Sequence, residues 1–300
     1  MKLSDLGEFG LIDLLKKQAR GSFSGIQGIG DDTAVLPLSA KKHLLLTTDM
    51  LLEGVHFTLK MPAKGIGHKA IASSISDIAA MGGIPKYAVI SLGAPSTVSW
   101  RVISQIYQGI RKTAKKFHVG IVGGDTIKSQ KIIINVALLG EVKRDEAVYR
   151  NGARAGDQVF VTGPLGRSLS SGWHLRFVPR IAQAQYLAGK HKPTAMIDIS
   201  DGLAADLGHI LRESRVGAMI EESSIPRRGK AYLKDALYDG EDFELLFTIP
   251  ASRAQKLMGK NTRCYRFYRI GEVVAKEKGL QLKTSNGHLK KITIKGYIHF

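Results

Sequence analysis

Gly28-Ile29-Gly30-Asp31-Asp32-Thr33-Ala34-Val35-Leu36 sets two glycines and a pair of adjacent carboxylates at the mouth of an apolar segment. Glycine lets a backbone approach a charged ligand closely, and neighbouring aspartates repel one another unless water or a cation separates them. Taken alone, the stretch is equally an ordinary solvated turn, because Gly and Asp are common turn formers. The same design recurs, however. His118-Val119-Gly120-Ile121-Val122-Gly123-Gly124-Asp125-Thr126 is an apolar run broken by a Gly pair and ending in an acid, and Ala195-Met196-Ile197-Asp198-Ile199-Ser200-Asp201-Gly202-Leu203 repeats it in the second half. Asp239-Gly240-Glu241-Asp242-Phe243-Glu244-Leu245 then carries carboxylates into a further apolar run.

Between these turns, strand-like and helix-like patterns alternate and give an α/β (α+β) reading. Residues 4–18 have helical spacing through Leu6, Phe9, Leu11, Leu14 and Leu15. His43 to Asp49 reads as a short buried strand with Asp49 where it gives way to a loop. Residues 67–81 read as a helix whose Ile71, Ile75 and Ile78 form one stripe, with Asp77 on a neighbouring face of small side chains, Ser73 and Ala70. Tyr87–Leu92 reads as a strand, 98–117 as a long helix with Trp100, Ile103, Ile106, Tyr107 and Ile110 inward, and 131–142 as a long strand. The polar segment from Lys143 to Gly156 marks the boundary between a domain over 1–145 and another over 146–300, the second beginning with a strand at Gln158–Gly163. Gly163-Pro164-Leu165-Gly166-Arg167-Ser168 lacks the spacing and the lysine of a Walker phosphate loop.

The 300 residues suffice for two domains, and 44% hydrophobic with 23% charged residues is a globular composition with no run long enough to span a membrane. The start, Met1-Lys2-Leu3-Ser4-Asp5, lacks a signal peptide's apolar core, and a single cysteine, Cys264, permits neither an intrachain disulfide nor a thiolate metal cluster. A cytoplasmic protein is expected. The net charge of +18 raises the alternative of a nucleic-acid-binding protein, but the basic residues fall in short separate groups such as Arg111-Lys112, Arg227-Arg228 and Lys290-Lys291, without aromatic interleaving. These are read as solvated faces, and a basic surface equally attracts an anionic small substrate.

Asp32, Asp49, Asp77, Asp125, Asp198 and Asp201 are the acids at strand or helix edges. If they converge, like charges demand neutralisation. All-oxygen ligation points to Mg²⁺, which binds through a few carboxylates plus substrate phosphates, and the nine histidines show no paired zinc spacing. Such a centre suits phosphoryl transfer, in which catalysis is chiefly positioning and neutralisation of charge.

The ordered set Gly-Ile-Gly-Asp-Asp (28–32), Thr-Thr-Asp (47–49), Glu-Gly-Val-His-Phe (53–57), Ser-Asp-Ile-Ala-Ala-Met-Gly (76–82), Gly-Gly-Asp-Thr (123–126), Asp-Ile-Ser-Asp-Gly-Leu (198–203) and Gly-Glu-Asp-Phe-Glu-Leu (240–245) closely resembles the thiamine-monophosphate kinases, as does the closing Lys295-Gly296-Tyr297-Ile298-His299-Phe300. The resemblance implies the two-domain architecture of the aminoimidazole ribonucleotide synthetase superfamily. In it, an N-terminal ATP- and Mg²⁺-binding α/β domain forms a homodimer and a C-terminal α/β domain completes the active site. It implies ATP-dependent phosphorylation of thiamine monophosphate to thiamine diphosphate by direct in-line transfer, in which Asp49, Asp77 and Asp125 would be catalytic. By the same analogy Asp32, Thr47, Thr48, Asp49, Asp77, Asp125, Asp198 and Asp201 would hold Mg²⁺. Gly124, Asp125, Arg150 and Ser200 match nucleotide-contacting positions, and His56, Glu241 and Tyr297 match positions near the thiamine phosphate. The segment 166–195, with Trp173, Arg176, Arg180 and His191, departs from the family pattern by being shorter and more basic, and Asp239 stands where a glycine is usual. Other synthetases of the superfamily are the alternative enzymes; a selenophosphate synthetase would carry a reactive residue near its N-terminus, far from Cys264.

Overall fold

In the strand Ile133–Lys143 every second side chain is buried, from Ile134 through Val136 and Leu138 to Val142, the period of a sheet covered on one face only. The computed structural model describes residues 2–19, 26–258 and 265–297, so Cys264 and the terminal Ile298-His299-Phe300 lie outside the described residues. After an N-terminal helix α1 (Leu3–Ala19), the first half contains β1 (Ala34–Pro37), β2 (Lys42–Leu52), α2 (Ala63–Ala80), β3 (Ile84–Ala94), α3 (Trp100–Lys116), β4 (Gly120–Lys128) and β5 (Ile133–Lys143). Its strands form one sheet in the order β1-β2-β5-β3-β4, with only β3 and β4 parallel, joined by the crossover helix α3. Val35, Leu45, Ile90, Ile134 and Val136 pack beneath the α2 residues Ile71, Ile75 and Ile78 and the α3 residues Ile106 and Ile110.

Two elements run further than their sequence pattern suggests. β2 does not end at Asp49: its ladder with β5 continues to the pair Leu52 and Ile133, because the partner strand is long enough to satisfy the extra backbone groups. β4 likewise runs past Asp125 to Lys128, held by β3. The inward face of α3 is carried by Ile106, Gly109 and Ile110, whereas Trp100 at its first turn is exposed; capping by the Ser99 hydroxyl, which accepts from Arg101 N–H at 3.2 Å, fixes the helix start beside it.

The second half contains β6 (Gln158–Val161), α4 (Ile181–Tyr186), β7 (Ala195–Asp198), α5 (Leu203–Ser214), β8 (Gly217–Glu221), α6 (Leu233–Tyr238), β9 (Leu245–Ile249), α7 (Ala251–Met258), β10 (Tyr268–Val274), β11 (Leu280–Lys283) and β12 (Leu289–Lys291). Among the described residues these strands make a seven-stranded sheet, β12-β11-β8-β10-β6-β9-β7, parallel only between β11 and β8. The short β7 sits at its edge and pairs Asp198 with Leu245 of β9, which carries Asp198 to the boundary with the first half. There the segment 166–195 folds as two short turns and α4 rather than a long helix; its Phe177 stacks on Phe243 at 4.0 Å between ring centres and packs on Ala72 of α2.

Helices α2 and α3 cross with their backbones almost touching. A Cβ on Gly67 would lie 1.8 Å from the Ile106 carbonyl oxygen, and one on Gly109 2.0 Å from that of Lys64. Replacing Gly67 by Ala gains about 1 kcal/mol of helix propensity. It also drives a methyl into a carbonyl that no rotamer can vacate, which costs about 1–3 kcal/mol or more. Gly67→Ala is therefore expected to lower the urea midpoint of unfolding, and an unchanged or raised midpoint would contradict the close crossing.

Candidate active site

The period-2 alternation of β2 splits the triplet Thr47-Thr48-Asp49. Thr47 and Asp49 face the helices, and Thr48 faces the open side, where its hydroxyl donates to Asn135 Oδ1 at 3.1 Å. Opposite Asp49, α2 supplies Ser74, whose hydroxyl donates to Asp49 Oδ2 at 2.7 Å. Thr47 Oγ1 donates to Asp77 Oδ2 at 2.5 Å. The turn after β7 brings in the second half: Ser76 Oγ of α2 donates to Asp198 Oδ2 at 2.6 Å. Asp32 enters from the opening stretch, fixed by the Arg150 guanidinium at 2.8 Å from Oδ1, while its Oδ2 is buried with no hydrogen-bond partner among the described residues. Carboxylate oxygens of Asp32, Asp77 and Asp198 thus lie within 4.8 Å of one another.

Such a cluster is costly without a cation. Burial pushes the Asp198 carboxyl up to about 8, with Asp32 adding to the shift. Asp77 is pushed well above the usual carboxylate range by burial and then by Asp49, Asp198 and Asp32, and Asp49 is raised by burial. The site is short of positive charge, and its donors are hard oxygen atoms with one buried lone oxygen unengaged. That fits a bound Mg²⁺ better than a structural ion-pair network.

Asp31 has a different job. Its carboxylate accepts from the Arg150 N–H at 3.2 and 3.3 Å and from Gln27 Nε2 at 3.0 Å, shaping the turn, and burial followed by the neighbouring Asp32 raises it to about 7. Beside it opens a cleft of about 270 Å³ lined by Lys16, Gln27, Gly30, Asp31 and Arg150. Gly30, at φ +131°, is crossed closely by the Lys16 ammonium, 2.5 Å from where a Cβ would stand.

Asp201 belongs to a second group. Ligand atoms of Asp201, Asp206 and His209 lie within 4.8 Å of one another, and Asp206 Oδ2 accepts from the backbone N–H groups of Asp201 and Gly202 at 3.1 and 3.0 Å. Burial, then Arg150 and Arg212, holds the His209 imidazole down at about 3, so it is neutral. The chain's C-terminal segment lies across this turn, with Tyr297 N–H donating to the Asp201 carbonyl at 3.2 Å. The Tyr297 ring is half-exposed. Asp125 stands apart: it is exposed on β4, in register with Ser91 and hence with Asn135 on the open face, and its Oδ1 accepts from Thr126 N–H at 2.8 Å. Gly124 lies against β3, where a Cβ would come 1.9 Å from the Ile90 carbonyl oxygen.

The remaining sequence candidates meet at the junction of the two halves. His56 Nδ1 accepts from Leu52 N–H at 3.0 Å, a backbone contact within its own turn. Glu241 takes the left-handed conformation, φ +65°, while its N–H donates to the Ser200 carbonyl at 2.7 Å. Its carboxylate forms an ion pair with Lys69, and its Oε2 is buried without a partner among the described residues. Lys69, Asp206 and His209 were hidden in sequence because each sits inside a helix where a charged residue normally means a solvent-facing side. For Lys69 the available signal was its i, i+4, i+8 alignment with Ser73 and Asp77.

Arg228 also departs from its reading as part of a solvated basic group. Its guanidinium pairs with the buried Asp242 at 2.8 Å and lies 4.3 Å from the centre of the Trp173 ring. Burial pushes Asp242 up to about 6 despite Arg228 and the Gly166 N–H. The glycine-bearing stretch 163–168 faces these acids: Gly166 N–H donates to Asp242 at 2.7 Å, and a Cβ on Gly163 would collide with the Glu244 carboxylate.

Residues 30–142 match the family model for the AIR synthase related protein, N-terminal domain, and residues 154–283 match that for its C-terminal domain. The thiamine-monophosphate kinase of Aquifex aeolicus is 39% identical over 282 residues, covering 84% of this chain and 89% of the relative; that of Bacillus subtilis is 32% identical, covering 98% and 100%. A solved structure, AaThiL complexed with AMPPCP and TMP, superposes with a TM-score of 0.87 at 37% identity, covering 100% of this chain and 99% of that one. With both halves of the site built from matching domains, the chain belongs to the thiamine-monophosphate kinase family.

Proposed function

We propose that the chain transfers the γ-phosphoryl group of ATP to thiamine monophosphate, giving thiamine diphosphate and ADP. The observation that carries this reading is the meeting of Asp32, Asp77 and Asp198 from three separated segments, at a junction between halves that both match the kinase family. The structure that superposes on this chain is described with AMPPCP, an ATP analogue, and with TMP. Mg²⁺ held by Asp32, Asp77 and Asp198, with Thr47 and Asp49 on the same side of β2, would supply neutralisation of the phosphate charge. Asp201 would serve through the neighbouring group it forms with Asp206 and His209, whereas the parts of Thr48 and Asp125 depend on what covers the open face.

The chain's own residues then have distinct tasks. Arg150, anchored on Asp32 at the cleft, presents a guanidinium to the nucleotide phosphates, and Gly124 and Ser200 belong to the nucleotide side by family analogy. His56, Glu241 and Tyr297 belong to the acceptor side. Because the acceptor oxygen is part of an already anionic phosphate, no strong general base is required; alignment of that oxygen with the γ-phosphorus is the main task. The cytoplasm, where ATP is available, is its proposed setting.

The open face of the first sheet supports a homodimer. Leu46 and Met50 on β2 and Tyr87 and Val89 on β3, to either side of β5, are all exposed there, an apolar face that a second copy of the chain would cover.

Purified protein with ATP and Mg²⁺ should release ADP in proportion to added thiamine monophosphate and form thiamine diphosphate; ADP release indifferent to the acceptor would overturn the reading. Asp77→Asn should lower turnover by about a thousandfold or more. The same change should raise the melting temperature in EDTA at pH 7. The raised Asp77 carboxyl costs stability above the unfolded value near pH 4, so the gain should vanish towards pH 3; a loss of stability at pH 7 would contradict a strained acidic cluster. Tyr87→Glu should shift the particle in sedimentation from twice 32.7 kDa to a single chain of that mass, and a wild type already sedimenting as one chain would exclude the dimer.

A further inference from the structure

Lys69 is 1% exposed, in the middle of α2, and its ammonium has two partners from outside the helix. It donates to the carbonyl oxygen of His56 at 2.8 Å and to Glu241 Oε1, a residue 172 positions away in the other half. A buried ammonium is tolerated only when paired and hydrogen-bonded, so this contact fixes where the Glu241 carboxylate stands. The backbone fixes it a second time. Glu241 adopts the left-handed conformation, its N–H donates to Ser200 O, and its own carbonyl accepts from Ser168 Oγ at 2.5 Å. So held, the carboxylate spends Oε1 on Lys69 and leaves Oε2 buried with no partner among the described residues.

A buried carboxylate oxygen without a donor is a cost that a ligand can remove. The chemistry that suits it is an amino N–H or a cationic ring, not a phosphate, which the same carboxylate would repel. Thiamine monophosphate offers such groups at its organic end, an aminopyrimidine and a thiazolium, away from the phosphate that reacts.

We propose that Lys69 is a positioning residue for acceptor recognition: its ammonium clamps the His56 carbonyl and the Glu241 carboxylate together, so that Glu241 Oε2 faces the organic part of the acceptor. The proposal rests on the reading that His56 and Glu241 lie on the acceptor side. It gives Lys69 a role in specificity rather than in phosphoryl transfer, because Lys69 lies two helical turns from Asp77 on the same helix. It also explains why a helix otherwise lined with small and aliphatic residues buries a lysine.

The test is steady-state kinetics with ATP and thiamine monophosphate varied separately. Lys69→Met should raise KM for the acceptor by about tenfold or more, from loss of a buried charge pair, while KM for ATP and kcat change much less. Glu241→Gln should do the same, and the charge-neutral double variant Lys69→Met/Glu241→Gln should be no worse than Glu241→Gln alone. Should Lys69→Met fail to fold by circular dichroism, the double variant, which buries no unpaired charge, carries the comparison with Glu241→Gln. An acceptor KM unchanged in Glu241→Gln, effects that multiply in the double variant, or equal losses for ATP and acceptor would each overturn the proposal. A wild type that does not phosphorylate thiamine monophosphate would instead overturn the functional reading beneath it.

Discussion

Carboxylates that repel one another are held together at the junction of the two halves, and much of the molecule serves to hold them. Each of three acids on or against α2 is met by a hydroxyl: Asp49 by Ser74, Asp77 by Thr47, and Asp198 by Ser76. A hydroxyl donates to a carboxylate without cancelling its charge, so the arrangement orients the oxygens while leaving the electrostatic demand in place. Arg150 meets that demand by direct contact at Asp32. The second half reaches the first through these polar contacts, Asp198 bonding to α2 and Glu241 pairing with Lys69, and through apolar packing of Ala79 and Ala80 against Phe160, Leu187 and Met196. Folding and site assembly are therefore one event, and the charge left over is what a cation and phosphates would complete.

The acidic turns were legible because glycine beside aspartate at the end of an apolar run is a local signal, and it survives without knowledge of the fold. Asp32 and Asp198 were marked by acidic turns at the edge of an apolar run and Asp77 by its place on a helix face of small side chains, and the structure groups them. The split of Thr47, Thr48 and Asp49 between two faces follows from the alternation of the strand read at His43–Asp49, which the structure extends to Leu52. Asp125 was marked by the same local signal, yet its register with Ser91 sets it on the open face. A turn motif says what a residue can do and not which way it points.

What sequence could not show is burial created from a distance. Lys69, Asp206 and His209 each lie within helices of ordinary pattern. Arg228 looked like half of a solvated pair until Trp173 and Asp242 closed around it. For Lys69 and Arg228 the partners come from other segments of the chain, so the local composition is that of a surface while the environment is that of a core. The departure of the segment 166–195 from the family pattern has a comparable reading. Its short turns place Phe177 against Phe243 and Ala72, and Arg180 pairs with the buried Glu244, so a basic stretch becomes the lining of an acidic interior.

The crossing of α2 on α3 leaves no slack between their backbones at Gly67 and Gly109. Because α2 carries Lys69, Ser74, Ser76 and Asp77, it acts as a fixed ruler along which both ends of the chemistry are measured: about 12 Å of axial rise separates the lysine from the aspartate. A ruler wedged in this way cannot slide to meet a ligand. The end of β7 at Asp198 and the segment around Glu241 are the parts of the second half that face this ruler, and each is tied to it by a side-chain contact, so the distance between them is set by the helix rather than by either segment.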